Sequence, residues 1–150
     1  MRVLLAEQLA AKGQTAAAVK QYEAALLRDP NSVVALNNLA VIYQRQKDPR
    51  ALGLAKKAYD AAPAQPMIAD TYGWLLVDHG KLDEAIEILR KAVASPGATP
   101  EIRYHLAAAL ARDGQRDAAL EILRKLKTQR DNGYESISAE VDRLLAELQR

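Results

Sequence analysis

The sequence contains no cysteine and no phenylalanine, and aromatic residues make up only 5% of it. Without cysteine the chain has no disulfide framework, no thiolate nucleophile and no cysteine-ligated zinc site. No apolar run reaches the roughly 18 residues that a membrane-spanning helix needs. The sequence also lacks a glycine-rich phosphate loop and a serine-containing nucleophile elbow. These absences remove the usual sequence signals of nucleotide, zinc and hydrolase sites.

An excess of charge of one sign is also missing, because 21 Lys and Arg residues nearly balance 19 Asp and Glu residues. The formal net charge is +2, and the two signs are interspersed along the chain. A nucleic-acid module normally shows a basic stripe for phosphates, so no nucleic-acid partner is predicted. The apolar fraction of 49% relies on Ala and Leu, which suit helices packed at close range.

A helix, a turn and a second helix are predicted in residues 70–92, where the break falls at Gly80. Apolar residues recur at helical spacing on both sides of this glycine, so two apolar stripes can face each other. Gly80 and Gly114 lie 34 residues apart, and so do Pro66 and Pro100. A repeated spacing of this length predicts a series of stacked helical hairpins.

The spacing predicts a single domain of four hairpins, at about 1–32, 33–65, 66–99 and 100–133. A last helix is predicted at about 135–149, and its apolar residues form one stripe: Ile137, Val141, Leu144, Leu145 and Leu148. Because its other side is polar, we expect this helix to seal the end of the hydrophobic core. The apolar pattern of the first hairpin is already present at Leu5, Ala6 and Leu9, so this hairpin begins a little after the natural start of a unit. We therefore expect the sequence to be a fragment of a longer protein.

Large and small residues recur at matching positions of the hairpins. In the first helices they are Leu5, Ala6 and Leu9; Leu39, Ala40 and Tyr43; Tyr72, Gly73 and Leu76; and Leu106, Ala107 and Leu110. In the second helices the small residues are Ala18, Ala25, Ala51, Ala58, Ala85, Ala92 and Ala119. With this period and these positions, residues 1 to about 133 resemble the tetratricopeptide repeat (TPR) family. The resemblance implies an all-α fold, a right-handed α-solenoid of four helix-turn-helix repeats with a C-terminal capping helix, and a module that binds a protein or peptide segment.

Some positions depart from the family pattern. Arg2 and Arg103 stand where the family usually has a large apolar residue, and Gly97 and Asp131 replace the closing proline. None of these changes interrupts the hairpin pattern.

The second to fourth hairpins are also similar to the C-terminal repeats of bacterial lipoproteins tied to exopolysaccharide production and PEP-CTERM protein sorting. The stretches that carry this similarity include NNLAVIYQRQKDPRALGLAKKAYDAAP and DTYGWLLVDHGKLDEAIEILRKA. The similarity implies an envelope-associated or periplasmic parent protein. The residues themselves leave the compartment open, and a cytoplasmic location is the alternative.

In the family, the first helix of each hairpin lines the inner surface and leaves one stripe available to a partner. The residues predicted to bind a partner lie on that stripe: Asn37, Asn38, Val41, Arg45, Asp70, Trp74, Tyr104, His105 and Arg112. Trp74 and Tyr104 are the strongest candidates, since aromatic anchors with amide and charged neighbours are typical of peptide-binding grooves. The alternative is that Trp74 packs between repeats and that the asparagines are simply solvated.

Catalysis, a cofactor and a metal are not predicted. His79 lies in a hairpin turn, where histidine is usually solvated, and His105 has no second histidine or acidic residue at i+4 that would make a metal pair. A basic cluster that begins at Arg124 falls at the end of a helix, where cations complement the helix dipole. The leading hypothesis is a protein-binding module. The alternative is a structural scaffold that self-associates, and an enzyme is a distant third.

Overall fold

The Ala- and Leu-rich sequence folds into helices throughout, because these residues lose little conformational freedom in a helix. The computed structural model describes residues 1–150 and contains nine α-helices, one short 3-10 helix and no β-strand. The predicted all-α class is therefore confirmed. The chain divides into two units, residues 1–63 and residues 64–150, which are described in turn.

The first unit contains two helical hairpins. Its helices are α1 (Arg2–Ala11), α2 (Thr15–Leu26), α3 (Val33–Arg45) and α4 (Ala51–Ala61). Each helix packs against the next along the chain. The residues buried between them are mostly small or aromatic, including Ala6, Ala18, Tyr22, Leu36, Leu39, Ala40, Tyr43, Ala55 and Ala58. Small side chains let the helix backbones approach, and the tyrosines fill the remaining space.

Polar contacts join the second and third helices of this unit. The Tyr43 hydroxyl donates to Glu23 Oε1 at 2.7 Å, and the Arg50 guanidinium lies 4.3 Å from the centre of the Tyr43 ring.

Asp48 accepts the backbone N–H of Arg50 at 2.9 Å. Helix α4 begins at Ala51, because Asp48 and the two residues after it form a turn before the helix starts.

The second unit contains two more hairpins and a C-terminal segment. Its helices are α5 (Pro66–Asp78), α6 (Leu82–Ala94), α7 (Pro100–Arg112), α8 (Arg116–Gln129), the 3-10 helix (Tyr134–Ser136) and α9 (Ser138–Leu148). Proline opens both α5 and α7, where its fixed φ suits the first turn and its missing N–H costs nothing. Helix α7 packs against α5, α6 and α8, which places it at the centre of the unit.

The C-terminal segment packs on α7 and α8. Its buried residues Tyr134, Ile137, Val141 and Leu145 join a cluster with Ala107, Leu120, Leu123 and Leu126. The predicted continuous helix from residue 135 is interrupted, because a 3-10 turn precedes α9 and carries the Tyr134 ring into the core. None of the helices combines the length and the hydropathy required to cross a bilayer.

Candidate functional site

Two helices of the second unit form the best-developed candidate surface. Asp70, Trp74 and Asp78 follow one another at four-residue spacing along α5, so they share one side of that helix. Helix α7 packs against α5 and contributes His105 and Arg112, which lie two turns apart. We call Asp70, Trp74, Asp78, His105 and Arg112 the α5–α7 cluster.

Asp70 and His105 form the innermost contact of the α5–α7 cluster. His105 Nδ1 lies 2.8 Å from one carboxylate oxygen of Asp70 and 3.0 Å from the other. An ionised carboxylate can only accept a hydrogen bond, so the Nδ1–H tautomer of His105 is the one that donates a hydrogen bond to Asp70. Both side chains are only 13% exposed, which shields this contact from competing water.

Trp74 lies against two side chains of α7. Its ring stacks on the His105 imidazole with the centroids 4.2 Å apart and the planes inclined by 15°. The Arg112 guanidinium carbon lies 5.3 Å from the indole centroid, within the range of a cation–π interaction. Arg112 also approaches Asp78 at 4.0 Å, and both of these side chains are substantially exposed. The outer part of the cluster therefore faces solvent while its inner part is paired.

Tyr104 is next to His105 in the sequence, but its side chain packs outside the α5–α7 cluster. It is half-buried against the C-terminal core, together with Leu144 and Leu148 of α9. Burial raises the pKa of Tyr104, and the charge of Glu140 raises it further, while Arg143 opposes that rise. Its ring lies 6.0 Å from that of His105, tilted by 53°. Tyr104 thus packs as part of the α7–α9 contact.

The four predicted residues of the first unit all lie on α3, in different environments. Asn38 donates from Nδ2 to the Tyr22 hydroxyl at 3.1 Å and to Glu7 Oε1 at 3.4 Å. Asn37 is only 5% exposed, and its Oδ1 is buried without a hydrogen-bond donor. Val41 is half-buried, and Arg45, in the last turn of the helix, is exposed.

The sequence did not reveal the acidic partner of His105. Asp70 precedes it by 35 residues and comes from another helix, so a search for a partner one helical turn away could not find it. The one available signal was that Asp70 and His105 each belong to the predicted stripe of their own helix. No cluster of three or more histidine and carboxylate side chains is placed to hold a metal ion.

A pocket of about 320 Å³ lies elsewhere in the second unit and contains none of the predicted residues. Residues of α6, α7 and α8 line it, including Val93, Arg103 and Lys125. Arg103 is already paired with Asp131 at 3.0 Å. The α5–α7 cluster therefore remains the better candidate, because it combines a partly exposed indole with an exposed guanidinium.

Comparison with known proteins agrees with the helical arrangement. Two family models described as tetratricopeptide repeat match the chain, one over residues 36–147 and one over residues 3–66. The longer match spans more than half of the chain, so the predicted resemblance to this family is confirmed. No curated protein matches the sequence at a significant level.

Several solved structures share the fold. PilW, titled a widely conserved type IV pilus biogenesis factor, is 25% identical, with a TM-score of 0.79 over 97% of this chain and 69% of its own. PilF of Pseudomonas aeruginosa is 22% identical, with a TM-score of 0.75 over 98% of this chain and 72% of its own. MamA of Desulfovibrio magneticus RS-1 is also 22% identical, with a TM-score of 0.75 over 88% and 76%. These similarities confirm the predicted α-solenoid fold class.

Proposed function

Because this chain belongs to the tetratricopeptide repeat family, whose members bind protein partners, we propose that it holds a segment of a partner protein on the first helices of its hairpins. Repeat scaffolds of this family are typically not enzymes. The observation that supports this proposal most strongly is the α5–α7 cluster. There, Trp74 is stacked in a defined orientation and Arg112 is exposed beside it.

The chemistry of this surface suits a peptide segment. Tryptophan and arginine are the residues most often found at the energetic centres of protein interfaces, because each combines a large apolar or planar surface with hydrogen-bond donors. A rigid helical scaffold holds both side chains before the partner arrives, which reduces the entropy that binding must overcome. Asn38, Val41 and Arg45 form a second proposed contact surface, on α3 of the first unit. Asn37 was predicted to belong to it, but its side chain is buried and offers a partner almost no surface.

Selection from a phage-displayed library of random linear peptides tests this proposal without knowledge of the natural partner. We expect the full chain to enrich peptides that bind it, and the double variant Trp74→Ala with Arg112→Ala to lose them. Tyr59→Ala on α4 is the matched control, since it truncates an aromatic residue outside the proposed surfaces. Far-UV circular dichroism checks that each variant keeps its helices. Equal binding by the double variant and the wild type would exclude the proposed surface.

We also propose a bacterial envelope setting, in an exopolysaccharide or PEP-CTERM protein-sorting system. The support is the similarity of the hairpins to the repeats of envelope lipoproteins, together with the likeness to PilW, a type IV pilus biogenesis factor. Fractionation of bacterial cells that express the protein with a C-terminal tag tests this setting. Recovery only in the cytoplasmic fraction would exclude it.

Self-association as part of a scaffold is the second candidate function. It is supported by apolar side chains on the first hairpin that remain exposed: Leu4 at 65%, Leu5 at 44% and Leu27 at 85%. Sedimentation of the chain over a range of concentrations tests this candidate. We expect a concentration-dependent dimer that Leu4→Glu abolishes, whereas a monomer at every concentration would exclude it.

A further inference from the structure

The α5–α7 cluster contains two kinds of side chain. Asp70 and His105 are both 13% exposed and bind each other, so they have little surface left for a partner. Arg112 is 51% exposed, and Trp74 is partly exposed beside it. This difference separates the side chains that can meet a partner from those that support them.

The contact between Asp70 and His105 restricts the imidazole ring. Because Nδ1 is close to both carboxylate oxygens, at 2.8 and 3.0 Å, rotation of the ring about its bond to Cβ would break the hydrogen bond. The ring that is held in this way is the one on which Trp74 stacks, nearly parallel at 15°. Asp70 and Trp74 are also one turn apart on α5, so the carboxylate that holds the His105 ring belongs to the same helix as the indole.

We propose that Asp70 and His105 are positioning residues, which hold the Trp74 indole in the orientation that a partner segment meets. This inference rests on the proposed function, because it assigns the partner contact to Trp74 and Arg112. Asp70 orients His105, and the face of His105 supports one side of the indole. Histidine and carboxylate pairs that orient another group are a general device for fixing a side chain before a ligand binds.

The unliganded protein provides a direct test, because Trp74 is the only tryptophan in the chain. Its fluorescence therefore reports on this cluster alone. We expect Asp70→Ala and His105→Ala to shift the emission of Trp74 to longer wavelength and to lower its anisotropy, since the indole gains solvent and freedom. Asp70→Asn should retain the wild-type emission, because its amide oxygen accepts the same Nδ1 hydrogen bond.

His79→Ala is the matched control, since His79 bonds to the Leu75 carbonyl and does not stack on the indole. Its emission should equal that of the wild type. Unchanged emission and anisotropy in both Asp70→Ala and His105→Ala would overturn the inference, provided that circular dichroism shows intact helices. A shift in Asp70→Asn as large as that in Asp70→Ala would also overturn it, since the hydrogen-bond acceptor would then not be what matters.

A peptide selected against the wild-type chain supplies the second measurement. We expect Asp70→Ala and His105→Ala each to weaken its binding by about tenfold, equivalent to about 1.4 kcal/mol, and Asp70→Asn to retain it. If Trp74→Ala binds the peptide as well as the wild type does, the proposed function fails at this surface, whereas the fluorescence measurement still decides whether the pair orients Trp74. Full binding by Asp70→Ala with a changed Trp74 emission would overturn the part of the inference that concerns the partner.

Discussion

At the scale of single residues, two neighbouring asparagines on α3 have opposite hydrogen-bonding states. Asn38 donates to both Tyr22 and Glu7 and so links α3 to the first hairpin. Asn37 is buried, and its Oδ1 has no donor. A buried polar atom that is not paired costs about 1–3 kcal/mol, so only one of the two amides stabilises the unbound fold.

Substitution of each asparagine by leucine, which has a similar shape, should therefore have opposite effects. We expect Asn37→Leu to raise the free energy of unfolding, because it removes the unpaired acceptor. Asn38→Leu should lower it by about 1–3 kcal/mol, because it leaves Tyr22 and Glu7 without their donor. Urea denaturation followed by circular dichroism measures both. A loss of stability in Asn37→Leu equal to that in Asn38→Leu would contradict the assignment.

Tyr43 makes the stability of the fold sensitive to alkaline pH. Burial, and then its hydrogen bond to Glu23, raise the pKa of Tyr43 to about 12. In the unfolded chain the pKa of tyrosine is about 10, so the folded state holds this proton more tightly. The resulting stabilisation is fully present below pH 10 or so and is lost as the pH rises towards about 12.

We expect the stability of Tyr43→Phe to fall less steeply than that of the wild type between about pH 10 and 12, because phenylalanine has no proton to lose. The variant should still lose some stability over this pH range, because burial also raises the pKa values of Tyr22 and Tyr104. Urea midpoints measured across this pH range provide the comparison. If the urea midpoint depends on pH in the same way in both proteins, Tyr43 does not contribute to the loss of stability at alkaline pH.

At the scale of helices, the α5–α6 hairpin depends on close backbone approach at Gly73. A Cβ atom built on Gly73 would lie 2.8 Å from Leu89 Cγ, which is closer than two carbon atoms can pack. Gly53, in contrast, is exposed on α4 and has no atom within 4 Å of an added Cβ. Substitution of Gly73 therefore tests the effect of close packing, and substitution of Gly53 tests the effect of helix propensity alone.

We expect Gly73→Ala to lower the free energy of unfolding by about 1–3 kcal/mol, because Leu89 must move within a packed core. Gly53→Ala should raise it by about 0.5–1 kcal/mol, since alanine loses less backbone freedom in a helix than glycine does. Chemical denaturation measures both variants. A stabilised Gly73→Ala would mean that Leu89 moves aside without cost.

The turn between α3 and α4 contains a residue in a conformation that favours glycine. Lys47 has a φ of 56°, whereas the α5–α6 turn places Gly80 in the same left-handed region, at 72°. A side chain in that region costs about 1–2 kcal/mol, of which glycine recovers only part because it has more freedom when unfolded. We expect Lys47→Gly to raise the free energy of unfolding by about 0.5–1 kcal/mol in urea denaturation. A destabilised variant would show that the lysine side chain makes a compensating contact.

At the scale of the whole molecule, the stability of the second unit depends on its C-terminal segment. Tyr134, Ile137, Val141 and Leu145 supply half of the buried cluster that α7 and α8 share with it. Each buried apolar side chain contributes about 1.5–3 kcal/mol relative to exposure. Exposed ion pairs contribute little by comparison, and the pair between Lys127 and Asp142 is about half exposed on both sides.

Removal of residues 133–150 should therefore lower the melting temperature by about 5–15 °C and expose the apolar surface of α7 and α8. Lys127→Ala is the control and should leave the melting temperature nearly unchanged, because it removes only the exposed ion pair. Differential scanning calorimetry and binding of a hydrophobic dye provide the measurements. An unchanged melt after truncation would contradict the sealing role of this segment.

Local patterns predicted most of the fold but only part of the candidate site. Proline at the start of α5 and α7, together with the 34-residue spacing of Gly80 and Gly114, was sufficient to predict helices of the observed type. The site was predicted as stripes on separate helices. Which members of those stripes touch, and which are buried, does not follow from the spacing along one helix.

The sequence by itself determined the all-α class and the helical hairpins, because both depend on local backbone preference and on the period of the apolar residues. Only the tertiary structure decided that Asp70 pairs with His105 and that Trp74 stacks on the same imidazole. It also decided that Tyr104 packs towards α9 and that Asn37 is buried without a donor. These contacts depend on the rotation and stagger of one helix against another, which the packing of the large and small side chains between the helices sets.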